Sequence, residues 1–172
     1  MRKHGGRSGK KVQGLAVIEL TIVSTVLMLI LLSIFSIGYY MFSIQMINEA
    51  TRKAARLATV CYVTSTAHQN VKNTIINSSL PSNFSDQHLV IEYLDANGDV
   101  VAGDPTDNDV FITIKYVRAR VSNYQFQFVS VLNFLGNNGL VTIPEFETTL
   151  PVESLGVVRP NKNDSDGSTT DC

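Results

Sequence analysis

The spacing of apolar and polar positions changes character twice along the chain. Arg2, Lys3, Arg7, Lys10 and Lys11 lead into an apolar run, and from Leu20 to Asn48 there is no Asp, Glu, Lys or Arg. Fourteen of the residues from Leu20 to Ile44 are Leu, Ile, Val or Phe. A membrane-crossing helix needs about 20 such residues, so the run predicts one span. Beyond it, Ile44, Ile47, Thr51, Ala54, Leu57, Ala58 and Cys61 recur at helical spacing, with Glu49, Arg52, Lys53 and Arg56 on the other side. That pattern predicts one continuous helix leaving the bilayer with a solvated charged face, where Glu49 stands in the favourable order before Lys53. A second helix is predicted from about Ala67 to Ile76, stopped in "NSSLPSN" by Pro81.

The texture then turns to alternation. "HLVIEYLDANGDVV" predicts two strands joined at Asn97-Gly98 by a type I′ turn. A loop from Gly103 to Asp109 follows, and "VFITIKYVRARV" is the clearest strand. "YQFQFVSVLNFL" reads as a strand or a short helix, and residues 124–140 stay open. "VTIPEFETTL" predicts a last strand, or an extended edge, since Pro144 disfavours a central position. The tail from Arg159 is polar and predicts disorder unless Cys172 ties it down. The fold class expected is α+β: a long N-terminal transmembrane helix continuing into a small exported domain with an antiparallel sheet. The divisions are residues 1–14, a basic leader; 15–64, the span and extended helix; 65–158, the exported α+β domain; and 159–172, the tail.

Charge adds an orientation. The formal net charge of −1 conceals a leader with five of the fourteen Lys and Arg and no acid. Lys and Arg stay on the cytoplasmic side, so the rest is exported. The remainder is acidic, which argues against nucleic-acid binding; the basic stub suits anionic headgroups. A cleaved secretory signal is the rival reading, but its apolar region is about 7 to 15 residues and no small-x-small site follows this run. Two cysteines, Cys61 and Cys172, lie beyond the span. An oxidising compartment lets them pair across most of the domain; the alternative is a buried Cys61 and a loose Cys172.

Glu19 is the one carboxylate at the head of the apolar run, and an ionisable group there calls for a partner. A cut between Gly14 and Leu15 would create an α-amino group on Leu15, able to neutralise Glu19 of a neighbouring subunit in low dielectric. A short basic leader, Gly14, then "LAVIE" and an apolar helix resembles the type IV prepilin signal read by a prepilin peptidase. The resemblance implies cleavage after Gly14, methylation of the new amine, and Glu19 as the assembly residue. "MINEATRKAARLATV" and "FETTLPVESLGV" are similar to the TadE family of minor pseudopilins, from the tight-adherence or Flp pilus systems of bacteria. Leu20 departs from the Tyr that usually follows the Glu in major Flp pilins, and the chain is longer than those subunits. Implied partners are the inner membrane, the peptidase, other pilins and the assembly platform, with adherence as the outcome.

The alternative is an uncleaved single-span anchor displaying a periplasmic binding domain, with Glu19 snorkelling to headgroups. A membrane-tethered enzyme has no supporting constellation, and no cofactor or metal is implied. "DANGD" begins like a calcium loop, but Val100 and Thr106 stand where Gly and Glu are required. "GGRSGKK" lacks the first glycine and the hydroxyl residue of a phosphate loop. His4, His68 and His88 are scattered, and neither HExxH nor GxSxG occurs.

Overall fold

The computed structural model of the chain describes residues 10–78, 80–128, 132, 137–158, 168–170 and 172. Helix α1, Lys10–Val60, dominates it, at 51 residues and so about 75 Å long. No proline interrupts this segment, and hydroxyl side chains inside it bond back to the preceding turn. The N-terminal part stands free, and burial begins at Ser36. From there Ser43, Ile47, Ala50, Thr51, Ala54, Ala55 and Ala58 form one buried face. Their spacing is helical and most are small, so other elements approach the helix closely.

Helix α2, Ser65–Ile76, starts at Thr64, whose backbone is extended and whose side-chain oxygen accepts the Ala67 N–H at 3.2 Å. It lays Ala67, Val71 and Ile75 against the core, one turn apart. After a 3-10 turn at Asp86–His88 come β1, Leu89–Leu94, the helical turn α3, Asn108–Phe111, and β2, Tyr116–Val121. Strands β3, Gln125–Gln127, and β4, Leu140–Thr142, pair as a small ribbon, and β5 is Glu147–Pro151. The main sheet has the antiparallel order β1-β2-β5, with Leu89 opposite Val121 and Val117 opposite Leu150. Its inner side chains Leu89, Val117, Ala119 and Val121 are buried. A single apolar cluster joins Ile47, Ala50 and Ala54 of α1 to Val71, Leu89 and Val121, so the second half of α1 belongs to the domain core.

The α+β architecture with an antiparallel sheet is the one predicted, and α2 starts two residues before its expected position. Three local expectations change. The stretch after β1 makes only a bridge between Leu94 and Val100, not a second strand. Gly98 has φ 87° while Asn97 is not left-handed, so the turn is not type I′. Asp95 Oδ1 accepts the N–H groups of Asn97 and Asp99 at 2.8 and 3.0 Å, and this local bonding shapes the turn instead. The long strand expected at "VFITIKYVRARV" is cut, because its first residues complete α3 and Ile112 is left exposed. "VTIPEFETTL" is split at Pro144 into β4 and β5, the latter an edge strand as the proline suggested. Of the open 124–140 region, 129–131 and 133–136 lie outside the described residues, as do 159–167 of the tail.

The end of α1 is closed by backbone bonds to distant segments. Leu155 N–H donates to the Thr59 carbonyl at 3.0 Å, and Tyr62 N–H to the Thr170 carbonyl at 3.0 Å. Thr170 N–H in turn donates to Gly156 at 2.8 Å. Gly156 lies at φ 72°, and an added Cβ would come within 2.3 Å of the Tyr62 backbone nitrogen. Neither the dihedral nor the contact admits a side chain. Gly156→Ala should therefore cost roughly 2 kcal/mol or more; thermal unfolding of the full chain in detergent would show it, and an unchanged midpoint would refute this close approach.

Candidate membrane and assembly site

Helix α1 presents its apolar side chains outward where nothing in the chain covers them. Leu15 is 70% exposed and Phe35 74%, and the large apolar residues between them are all exposed or nearly so. Residues 15–35 extend about 30 Å, matching the hydrocarbon thickness of a bilayer. Thr21 Oγ1 donates to the Ile18 carbonyl at 2.8 Å, Thr25 to Thr21 at 2.7 Å and Ser33 to Leu29 at 2.8 Å. These three hydroxyls are thus satisfied within the helix, as a lipid-facing segment requires. At the far edge Tyr40 meets Phe126 and Phe128 of the β3–β4 ribbon at centroid distances of 5.2 and 5.3 Å. This aromatic contact is where the free helix becomes part of the domain.

The peptide bond between Gly14 and Leu15 lies inside α1, and nothing stands within 4 Å of where a Gly14 side chain would begin. Glycine lowers helix stability by roughly 1 kcal/mol, which makes this the weakest point of the first turns. Glu19 is exposed one turn further on, and among the described residues no cation lies within ion-pair distance of it. Gly14, Leu15 and Glu19 therefore share one end of the helix. Cys61 sits roughly 60 Å away along the axis. There the structure joins it to Cys172, with the Cα atoms 5.4 Å apart.

Sequence reading did not find two polar arrangements in the domain. On the outer face of the sheet Glu92 is held by Arg118 at 2.6 Å and Arg120 at 2.9 Å, each guanidinium donating twice. Burial alone would raise the Glu92 pKa, but these bonds and the two positive charges bring it below the ordinary carboxylate range. Strict alternation in "YVRARV" places both arginines on one face, which is the signal that was available. His68 Nε2 lies 2.7 Å from Tyr93 Oη and the two rings stack. Burial, then the nearby Lys72 charge, lowers the His68 pKa, and burial raises that of Tyr93. The contact spans residues from α2 and β1, so no local spacing announces it.

Residues 14–56 match the family model described as TadE-like protein. Over that segment the chain is similar to TadE-like proteins. The match begins at Gly14, includes Leu15 and Glu19, and ends within the basic face of α1. The TadE-like segment is thus nearly all of α1, from the exposed apolar half into the core-forming half; "FETTLPVESLGV" lies beyond it. No curated protein and no solved structure matches the chain.

Two measurements follow from the geometry around Cys61 and His68. The disulfide closes a sequence separation of 111 residues, for which chain entropy predicts up to about 4 to 5 kcal/mol. Cys172→Ser should lower stability by about 2 to 4 kcal/mol in denaturant titration under oxidising conditions, and equal stability would show that the bond is not formed. Because the folded state holds the His68 pKa below its unfolded value near 6.5, the unfolded chain binds the extra proton first. Stability is therefore full above that value and falls as pH drops from it towards the folded pKa. His68→Gln should flatten that slope below pH about 6.5 in the same titration.

Proposed function

We propose that the chain is a minor pseudopilin of a tight-adherence pilus system, processed by a prepilin peptidase between Gly14 and Leu15. The supporting observation is the TadE-like match over residues 14–56, which begins at that bond and covers an apolar helix left uncovered by the domain. In this reading the role is structural rather than catalytic. The basic leader stays in the cytoplasm, α1 holds the subunit in the inner membrane, and the domain stands in the periplasm. The Leu15 amine of one subunit neutralises Glu19 of the next. Such a pair lowers the cost of keeping a carboxylate in lipid, and so favours stacked helices over scattered ones.

An uncleaved anchor displaying a binding domain is the second reading. It draws on the helix running unbroken from Lys10 through the Gly14–Leu15 bond. A peptidase must unwind that turn, which the glycine makes easier.

The N-terminal sequence and intact mass of protein from native membranes separate the two. A mature chain beginning at methylated Leu15 is expected, and a chain beginning at Met1 beside an active peptidase would overturn the proposal. In the processed chain, Glu19→Ala should leave membrane insertion and abundance unchanged while reducing piliation about tenfold or more, the scale of a lost buried charge contact. Unaltered piliation would remove the assembly role from Glu19.

A further inference from the structure

The folded domain carries two exposed surfaces of opposite charge that do not meet within one copy. The first is a ridge on α1 where the exposed Arg52, Lys53 and Arg56 outnumber the one acid on the same face, Glu49. A groove flanks it on each side. One, of about 410 Å³, is floored by Leu57 and Ile75, with Lys53 and Arg56 on its rim. The other, of about 530 Å³ and more polar, lies between Arg56 and the residues Thr59, Val60, Leu150, Pro151 and Glu153.

The second surface is the β1–β2 connection. Residues 95–109 contain Asp95, Asp99, Asp104, Asp107 and Asp109 and no Lys, Arg or His. Asp99, Asp104, Asp107 and Asp109 are exposed. Two large apolar side chains flank them, Val100 at 55% and Ile112 at 67% exposure. This connection sits just past the end of α1: Asp104 and Thr106 face Val63 and His68 across a cleft of about 300 Å³, and the Phe111 ring lies 6.2 Å from that of Tyr62. Among the described residues the ion pairs are those of Glu92 with Arg118 and Arg120, so ridge and loop are not paired with each other.

We infer that the acidic β1–β2 connection of one copy docks on the Arg52–Lys53–Arg56 ridge of a second copy. Charge and shape agree on this occupant: acids flanked by exposed Val100 and Ile112 oppose cations beside the apolar groove over Leu57 and Ile75. The ridge lies below the end of α1 and the loop beyond it, so parallel copies must be displaced by roughly 10 to 15 Å along the helix axis. Side by side at one depth in a bilayer, the two surfaces miss each other. Because they are different patches, the contact is heterologous and can repeat in an open chain. It stands whether or not Gly14 is a processing site.

Sedimentation velocity of the full chain in detergent micelles tests this. Concentration-dependent association is expected in about 50 mM NaCl, weakening about tenfold or more in about 500 mM. The double variants Arg52→Glu with Arg56→Glu and Asp99→Lys with Asp107→Lys should each lose self-association by a similar factor while melting like the parent. Mixing the two should restore it, because each supplies the surface the other has reversed. A parent chain monomeric at every concentration would overturn the inference. So would association that ignores both reversals, which would assign it to the bare helices. Loss in the ridge variant alone would also overturn it, pointing to another acidic partner such as anionic lipid headgroups.

Discussion

Everything in this molecule depends on one unbroken helix serving two solvents. The first half of α1 leaves its apolar side chains uncovered, and the second half supplies Ile47, Ala50 and Ala54 to the core of the domain. The backbone hydrogen-bond ladder does not stop between them, so a force or displacement at one end is delivered to the other without a hinge. The change of role is made by side-chain size. Large residues face outward up to Phe35, where lipid tails or other helices can conform to them. Beyond Ser36 alanine, serine and threonine line the inner face, where a sheet must approach closely.

A domain of this size has little core to spend on rigidity, and part of that core is α1 itself. The closure at Cys61 and Cys172 compensates. It fastens the end of the chain beside the point where α1 stops, next to backbone bonds from Tyr62 to Thr170 and from Leu155 to Thr59. Sheet, ribbon and α2 are all held between those two points. The bond acts chiefly on the unfolded chain, by shrinking a very long loop, while Gly156 fixes how closely the last segments can lie.

What could be read from sequence alone followed the range of the interactions involved. The span, its amphipathic continuation, α2 and the break at Pro144 rest on local periodicity and backbone chemistry, and they stood out. The turn after β1 was misassigned because an Asn-Gly pair signals a type I′ turn only when side chains do not compete. Here Asp95 bonds the backbone first. The cut at α3 was hidden because "VFITI" alternates as a strand would, although its neighbours decide otherwise. Gly14, Leu15 and Glu19 were legible as a motif, being adjacent in sequence. Arg118, Arg120 and Glu92, or His68 and Tyr93, become a site only after strands and helices are placed.

Charge is distributed so that two kinds of contact need not compete. Within the apolar half of α1 the single carboxylate Glu19 would be neutralised in lipid by a proton or by a positive group brought beside it, and such an ion pair is strong, short-ranged and little affected by salt. The ridge and the acidic connection lie in water, where attraction is weaker, longer in reach and screened within about 10 Å. A subunit still in the bilayer plane can satisfy neither fully: a carboxylate near the headgroups has water available, and the two exposed surfaces are offset in height. In the proposed assembly, displacement along the helix axis would change both at once, taking Glu19 deeper among neighbouring helices and bringing opposite charges level. The rigid α1 makes that coupling obligatory, since neither end can shift without the other.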